Sequence, residues 1–304
     1  MFEKIVVGYA DDEAGRDAVK LAGTLAAVLG ASLTFVYPYS PLLSSVPADA
    51  AEERVRETVQ TLLPDSPELA GVAYHWSSAS WPIHALHSMA SYEDAGLIVI
   101  GAARQGIAAH LHISLMERLV HGAPCAVLVA PAGYADRDVE TLRRVGVGFT
   151  DSAEGRIALR LGHGLAGIFG GELSVLAASW IGPVIRSYAA IAIPVSTLED
   201  ETYTATNASV ERAVAELDPG ATVYAQTIKG DPCEVLVERS EGLDLLVLGS
   251  RAYGPVRHAL LGSVSAPVMR DAHCPVLVVP RGSRPDESAA ESERTSATMS
   301  AGAS

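Results

Sequence analysis

A glycine-rich loop near the end of the sequence carries the residue types that bind phosphate groups. Residues 249–265 read GSRAYGPVRHALLGSVS and hold three glycines, a basic cluster and a Gly-Ser pair. Glycine lets the backbone approach a ligand closely, serine hydroxyls donate hydrogen bonds, and Arg251 adds a charged donor. Gly262 and Ser263 are predicted to begin a helix, whose first N–H groups favour an anion. The loop therefore predicts a phosphate site. The alternative is that its glycines only turn the chain and its arginines are solvated.

The other chemically capable residues do not indicate catalysis or metal binding. The sequence contains no Ser-His-Asp arrangement and no nucleophile elbow. Paired carboxylates such as Asp11 and Asp12 fall at helix starts, where they cap or face solvent. His84, His87 and the histidines within 110–112 have no carboxylate or cysteine at ligand spacing. We therefore assign no catalytic residue and no metal ligand.

The composition limits which partners the protein can bind and in which cellular compartment we expect it. The chain has 304 residues, is 49% hydrophobic and carries a formal net charge of -14, which repels the phosphate backbone of nucleic acids. No apolar run approaches the roughly 18 residues of a membrane-spanning helix, and MFEKIVVGYADD does not resemble a secretion signal. Three scattered cysteines predict buried, reduced thiols. We expect a cytoplasmic protein that binds neither nucleic acid nor membrane.

The sequence is a tandem duplication, because three segments return in the same order. The pairs are VVGYADDEAGRDAVKLA at 6–22 with GVGFTDSAEGRIALRLG at 146–162, GLIVIGAARQG at 96–106 with LDLLVLGSRAYG at 243–254, and PCAVLVAPAG at 124–133 with CPVLVVPRG at 274–282. The join lies around GYADRDVET. We predict a first domain over 1–133, a second over 142–282, and a disordered tail over 283–304, which is rich in Ser, Ala and Glu.

Strand and helix signals alternate within each half. Short apolar runs predict strands buried on both faces, at 4–9, 31–37, 71–76, 96–101, 125–130, 144–149, 172–178, 221–228, 243–249 and 274–279. The first helix of each half is amphipathic, over 12–30 and 151–170, with Asp12 and either Asp151 or Ser152 as the N-cap and Gly30 and Gly170 as stops. Asp231 and Pro232 predict the start of a further helix. This alternation indicates an α/β fold: two tandem five-stranded, parallel, doubly wound, Rossmann-like domains.

The doubly wound fold predicts where the glycine-rich loop lies. Ligands of such sheets bind beyond the carboxyl ends of the strands, where the strand order reverses. Gly249 ends the fourth predicted strand of the second half, and the loop follows it directly. The phosphate site is therefore expected at the carboxyl edge of the second sheet.

These motifs in this order resemble the universal stress protein family in its tandem two-domain form, over roughly residues 2–282. The resemblance implies an adenine nucleotide alpha hydrolase-like fold. ATP-binding members carry Gly, two residues, Gly, nine residues and then Gly-Ser or Gly-Thr, which here falls on Gly249, Ala252 and Gly262-Ser263. The middle glycine is thus an alanine, which costs about 1 kcal/mol if that position has a positive φ.

The resemblance also implies the remaining site residues of the second half. Gly249, Arg251, Gly262, Ser263, Val264 and Ser265 would surround the phosphates, with Ala252 and Gly254 in the same loop. Val147, Gly148 and Phe149 would lie near the base. The family's ATP-binding form has an aspartate just after the first strand, where this sequence has Thr150, followed by Asp151.

The first half departs further from that pattern. Ala10 stands at the aspartate position, Arg104 at the middle glycine, and Ile113 with Ser114 at the final Gly-Ser. A branched side chain at position 113 would occupy the place of a phosphate. The first site is therefore predicted to be degenerate.

The sequence leaves two classes of function open. The first is a stress-response regulator that binds ATP in the second domain, with Mg²⁺ as an optional companion and at most slow hydrolysis. The second is a nucleotide-free interaction module with a regulatory protein partner. The resemblance implies an intramolecular pseudo-dimer through the last strands of the halves, and leaves a homodimer open. The apolar segment 179–196 is interpreted either as a lid or interface, or as a buried helix.

Overall fold

The strands of the two halves form one continuous sheet. The computed structural model describes residues 1–38, 48–63, 73–77, 82–102, 116–139, 141–182, 194–250 and 264–280. Ten strands within these residues pair in the order β3-β2-β1-β4-β5-β10-β9-β6-β7-β8. They are β1 Lys4–Gly8, β2 Ser32–Pro38, β3 Ala73–Ser77, β4 Leu97–Gly101, β5 Ala126–Ala130, β6 Arg144–Gly148, β7 Glu172–Ser179, β8 Thr222–Lys229, β9 Leu245–Gly249 and β10 Val276–Val279.

Helices connect the strands, as the alternating pattern predicts. They are α1 Glu13–Leu29, α2 Ala48–Leu62, α3 Pro82–Glu93, α4 Ala153–Ile168, α5 Val195–Ala215, α6 Pro232–Ser240 and α7 Ser265–Asp271; residues 116–122 are also helical. Neighbouring strands of each half are parallel. The prediction of a mostly parallel α/β sheet with two doubly wound halves is confirmed.

The caps predicted from local sequence are confirmed. The Asp12 carboxylate accepts a hydrogen bond from the Gly15 N–H at 2.9 Å, and Gly30 ends α1 at φ 64°. Ser152, the second of the two candidates, caps α4 by accepting from the Gly155 N–H. Asp231 caps α6 by accepting from the Cys233 N–H at 2.8 Å, with proline in the first turn. These interactions satisfy backbone donors that a helix start leaves free.

The two halves meet through their last strands. β5 and β10 pair antiparallel, with Leu128 opposite Leu277 and Val127 opposite Val278. The sheet is therefore symmetric about this seam: equivalent strands of the two halves follow in the same order when the sheet is read inward from either edge. The prediction that each half covers the other's last strand is confirmed, and it removes two edges that would otherwise invite pairing.

Helices cover both faces of the sheet, and each face has its own core. Alternate residues of one strand point to opposite faces, so Val247 joins one core while Leu246 joins the other. The first core is formed with α1, α2, α4 and α5, and the second with α3, residues 116–122, α6 and α7. Both cores contain residues from both halves of the chain.

The chain between the halves is docked on the protein surface. Asp17, on α1, is 2% exposed, and its two carboxylate oxygens accept from the N–H groups of Gly133 at 2.8 Å and Ala135 at 2.7 Å. Residues Tyr134–Asp136 form a 3-10 turn in which Tyr134 is 1% exposed. The join that the sequence marks as polar is therefore anchored to the first half.

Two details of the predicted elements are wrong. The strand predicted at 221–228 is not buried on both faces: β8 is an edge strand, and Tyr224 in it is 53% exposed. The helix expected to open at Gly262 and Ser263 begins at Ser265; those two residues lie outside the described part of the chain. Most of the 179–196 segment and the whole predicted tail also lie outside it, while α5 begins at Val195.

The three cysteines are free; Cys125 and Cys274 are buried as predicted, whereas the prediction of burial is wrong for Cys233, which is only partly buried. Burial raises the pKa of the Cys125 thiol to about 12 and that of the Cys274 thiol to about 12. Thiols with such pKa values are almost fully protonated at neutral pH and react slowly.

Candidate functional site

The carboxyl ends of β6 and β9 lie side by side in the second half. Gly148 of β6 pairs with Leu248 of β9, so the two strands end beside each other, β6 at Gly148 and β9 at Gly249. β9 is the strand before the glycine-rich loop, and β6 is the strand before α4. The order β9-β6-β7 makes this pair the point at which the chain reverses its direction of winding. This is the crevice in which ligands of doubly wound sheets bind.

Gly249 is the residue that permits the close packing at this point. A Cβ atom built on Gly249 would lie 2.9 Å from the backbone carbonyl carbon of Glu154, in the first turn of α4. The Ser265 hydroxyl, at the start of α7, donates to the Gly249 carbonyl oxygen at 3.4 Å. The start of the glycine-rich loop is thereby held between α4 and α7.

Two hydroxyl groups mark the end of β6. The Thr150 Oγ1 and Ser152 Oγ atoms are 3.3 Å apart, and either can be the donor. The Ser152 N–H also donates to the Thr150 carbonyl oxygen at 2.8 Å, which fixes the turn into α4. Thr150 and Ser152 are both partly exposed, so this turn borders solvent at the crevice.

Asp151 is part of an ion-pair cluster between α4 and α5. Its carboxylate accepts from the Arg156 Nε at 3.0 Å and lies 3.8 Å from the Arg212 guanidinium. Arg156 also pairs with Glu216 at 2.6 Å. The Ser209 hydroxyl and the Arg156 guanidinium beside it lower the pKa of the Asp151 carboxyl below its usual value. Asp151 therefore stays ionised and helps to join two helices.

The predicted site residues fall into three groups. Val147 and Phe149 are buried in the core, at 0% and 3% exposure, so only their backbone can reach a ligand. Thr150, Asp151, Gly148, Gly249 and Ser265 lie around the ends of β6 and β9, and Val264 packs partly against the second core. The remaining predicted residues lie outside the described part of the chain: Arg251, Ala252, Gly254, Gly262 and Ser263.

The structure adds two residues to the site beyond those predicted from the sequence. The sequence predicts Ser152 only as a cap, and its hydroxyl also contacts that of Thr150. No site prediction falls on Glu154, whose backbone abuts Gly249. The repeat could have indicated the contact between Glu154 and Gly249. In the first half, Ala14 is the counterpart of Glu154, and Gly101 is the counterpart of Gly249. A Cβ atom on Gly101 would overlap the carbonyl oxygen of Ala14.

The first half has a different set of groups at the equivalent position. Ala10 follows β1 and offers no side-chain hydrogen bond, and the Asp12 carboxylate caps α1. Asp11 pairs with Arg54 of α2. The loop from 103 to 115, with Arg104, Ile113 and Ser114, lies outside the described residues.

Metal ligands do not cluster in the described residues. No group of three His, Cys, Asp or Glu side chains within them could hold a metal ion. His87, considered above as a ligand, forms a 2.8 Å hydrogen bond between its Nε2 and the Leu119 carbonyl oxygen. Within the same residues, no helix has the length and apolar character needed to span a bilayer.

Comparison with known proteins identifies the family. The model of the universal stress protein family matches residues 1–131 and again residues 141–280. The chain therefore belongs to the universal stress protein family, with one match in each half. A universal stress protein of Mycobacterium tuberculosis (strain ATCC 25618 / H37Rv) is 26% identical over 300 residues, spanning 91% of this chain and 99% of the relative.

Solved structures share the fold over nearly the whole chain. A universal stress protein from Archaeoglobus fulgidus DSM 4304 superposes with a TM-score of 0.62 at 19% identity, covering 92% of this chain and 96% of that one. A functionally unknown protein from Pseudomonas aeruginosa PAO1 gives a TM-score of 0.60 at 17% identity, covering 98% of each chain. At these identities the likeness establishes the tandem fold.

Proposed function

We propose that this chain is a stress-response regulator that binds an adenine nucleotide, ATP, in its second domain. One observation carries the proposal: Gly249 ends β9 beside the end of β6, where strand order reverses, and a loop of phosphate-binding composition follows it. Gly249 also packs closely against the start of α4, where a Cβ atom would lie 2.9 Å from the Glu154 backbone. Bound nucleotide would bias the conformation of the chain or its choice of protein partner, with at most slow hydrolysis.

The proposal assigns the two ends of the nucleotide to different residues. The phosphates would lie on the loop formed by Gly249, Arg251, Ala252, Gly254, Gly262, Ser263, Val264 and Ser265. The base would lie toward the end of β6, at Val147, Gly148, Phe149, Thr150 and Asp151. Any Mg²⁺ would be held chiefly by the phosphates, since the described residues contain no cluster of metal ligands.

The proposal also covers the organisation of the chain. The first domain, over 1–133, would carry a degenerate site, and the second, over 142–282, the functional one. We place the protein in the cytoplasm and take the chain itself as an intramolecular pseudo-dimer. Light scattering on the purified chain would decide whether whole chains also form a homodimer.

A nucleotide-free interaction module is the second candidate, and two contacts favour it. The Ser265 hydroxyl donates to the Gly249 carbonyl oxygen, and the Asp151 carboxylate is paired with Arg156. Both groups would have to give up or share these partners to contact a nucleotide. In this candidate the fold and the seam between the halves persist while the site has decayed.

Titration with ATP separates the two candidates. We expect Gly262→Val to abolish binding, Arg251→Ala to weaken it by about 10-fold to 150-fold through loss of a charged hydrogen bond, and Ala252→Gly to tighten it. ATP at about 100 times its dissociation constant should stabilise the wild type by about 2.7 kcal/mol. Calorimetry and melting curves with and without ATP measure both effects.

Arg160→Ala is the matched control. Arg160 is exposed on α4, and its substitution removes the same charge as Arg251→Ala. It should leave ATP affinity unchanged. If millimolar ATP alters the melting temperature of neither the wild type nor Ala252→Gly, the nucleotide proposal is wrong and the interaction module is the better description.

A further inference from the structure

β8 forms one edge of the sheet, and among the described residues no strand pairs with its outer side. It has 8 residues, all in unbroken parallel register with β7, whereas β3 at the opposite edge has 5. Proteins usually protect an edge by keeping it short or by placing a proline, a bulge or a charge within it. β8 contains no proline and no bulge, and its charged residue, Lys229, is the last of the strand. The edge is therefore suited to pairing with a further strand.

The register with β7 determines which backbone groups of β8 point outward. The Gly230 N–H donates to the Ser179 carbonyl oxygen of β7 at 3.1 Å, so Gly230 points toward β7. Along a strand, the N–H and C=O groups of successive residues point alternately to the two sides. Val223, Ala225 and Thr227 therefore direct both groups away from the sheet. Each of them can form two hydrogen bonds with an added strand.

A second copy of β8 fits this edge in an antiparallel register centred on Ala225. Two copies related by a twofold axis place Ala225 opposite Ala225 and Val223 opposite Thr227, so the outward residues pair with one another. On the other face of the ladder, Thr222 lies opposite Ile228. These pairs join small or β-branched side chains and oppose no like charges. Cross-strand pairs of this kind stabilise a sheet.

An arginine and a tyrosine beside the edge favour this register over its neighbour. Arg239 of α6 is exposed, and its guanidinium donates to the Gln226 Oε1 at 3.2 Å. In the register centred on Ala225, Gln226 lies opposite Tyr224 of the second copy, and Tyr224 is 53% exposed in the single chain. Arg239 can then lie against that tyrosine ring, as in a cation–π contact. A register centred on Gln226 would instead bring two Arg239 side chains together, which is unfavourable.

We propose that two copies of this chain associate through β8, in an antiparallel register centred on Ala225, with Arg239 of each copy packed against Tyr224 of the other. The seam between β5 and β10 is already occupied within the chain, so this contact lies at a different place, the outer edge of the second half. It uses none of the residues proposed to bind the nucleotide. The homodimer that the sequence leaves open is thereby assigned to a defined surface.

Light scattering and sedimentation of the full chain over a range of concentrations test this contact. We expect the wild type to form dimers that dissociate on dilution. Ala225→Glu and Ala225→Lys should each weaken self-association by at least about tenfold, because the substituted side chain meets its own copy across the twofold axis. An equimolar mixture of the two variants should associate again, since opposite charges then face each other.

Two further measurements separate pairing from folding. Ala225→Pro removes an N–H that points away from β7, so it should give a monomer whose melting temperature still shows a folded chain. Ala205→Glu is the matched control, because Ala205 is exposed on α5, and it should leave the dissociation constant unchanged. In hydrogen exchange, the amides of Val223 and Thr227 should be protected only at concentrations at which the dimer forms.

The outcomes that overturn the inference are distinct. A wild type that stays monomeric at millimolar concentration shows that the edge does not pair with a second copy. A dimer that Ala225→Glu and Ala225→Pro leave intact is joined through another surface. A mixture of the Ala225→Glu and Ala225→Lys variants that fails to associate excludes the register centred on Ala225. Amide protection of Val223 and Thr227 that does not depend on concentration shows that another segment of the same chain covers the edge.

Discussion

Two glycines at the ends of equivalent strands hold the first helix of each half against the sheet. Gly101 ends β4, and Gly249 ends β9. A side chain at either position would meet the backbone of the helix that follows the first strand, at Ala14 or at Glu154. Gly101 thus retains a packing role in the half whose loop has lost its ligand-binding pattern. Glycine at this position is required by the fold, so its presence alone does not identify a nucleotide site.

This contact predicts an order of stability among three glycine-to-alanine variants. Gly101→Ala should lower the free energy of unfolding by about 1–3 kcal/mol, as overpacking does. Gly249→Ala should cost less, because its nearest contacts, at 2.9 to 3.0 Å, are less severe. Gly167→Ala, in α4 with no atom within 4 Å, should stabilise by up to about 1 kcal/mol. Urea unfolding of the three variants measures the order, and a Gly101→Ala variant as stable as Gly167→Ala contradicts it.

Single residues are predictable from sequence where the interaction is local. Asp12 and Asp231 cap helices that begin immediately after them, so the sequence around each is sufficient to assign its role. Asp151 differs, because its partner Arg212 lies on another helix and the pairing depends on how α4 and α5 pack. The hydroxyl of Ser265 likewise depends on the distance between the end of β9 and the start of α7. Neither contact has a signal in the spacing of the sequence.

At the scale of elements, the segment that joins the halves is the least expected. Its composition is polar, yet Tyr134 is almost fully buried, and Asp17 binds two of its backbone N–H groups. Arg137 adds a hydrogen bond to the His273 carbonyl oxygen in the second half. The segment therefore contacts both halves.

The Asp17 carboxylate should contribute strongly to this anchoring. Asp17→Ala leaves the Gly133 and Ala135 N–H groups without a partner, and should lower the free energy of unfolding by about 2–4 kcal/mol. Asp17→Asn should cost less, because one oxygen can still accept. Asp138→Ala is the control: Asp138 is exposed in the same segment, and its loss should matter by under about 0.5 kcal/mol. Urea unfolding gives the energies, and faster proteolysis within 131–142 in Asp17→Ala would locate the effect. Equal stability of Asp17→Ala and Asp138→Ala would show that the anchor contributes little.

Elements at the edge of the sheet were predicted less well than those at its centre. The apolar runs of β1, β4, β6 and β9 correctly predicted strands covered on both sides. β8 was predicted in the same way, as a short apolar run buried on both faces, although its sequence TVYAQTIK mixes polar and apolar residues. The polar residues reflect an edge position, where one side of the strand has no neighbour. The mixed composition of this strand, and not its apolar residues alone, is the feature that agrees with an edge position.

At the scale of the whole molecule, the seam between β5 and β10 joins two domains into one packing unit. Leu128 and Leu277 face each other in the first core, and Val127 and Val278 belong to the second. The tandem repeat predicted two similar halves, and the family resemblance predicted contact through their last strands. The sequence had no signal for cores that extend continuously across the seam, because that depends on the register of two strands about 149 residues apart along the chain.

Continuous cores predict that the two halves unfold together. Single-tryptophan variants that keep only Trp76, in β3, or only Trp180, beside β7, report on the two halves separately. Their urea transitions should coincide, because loss of either half exposes the apolar strand of the other. Leu277→Ala should lower the midpoints of both transitions equally, with a cost of about 2–5 kcal/mol for a buried leucine. Val28→Ala, at a position 44% exposed, should shift neither midpoint appreciably. If Leu277→Ala moves the Trp180 transition and leaves that of Trp76 in place, the halves are independent domains and the seam does not couple their stability.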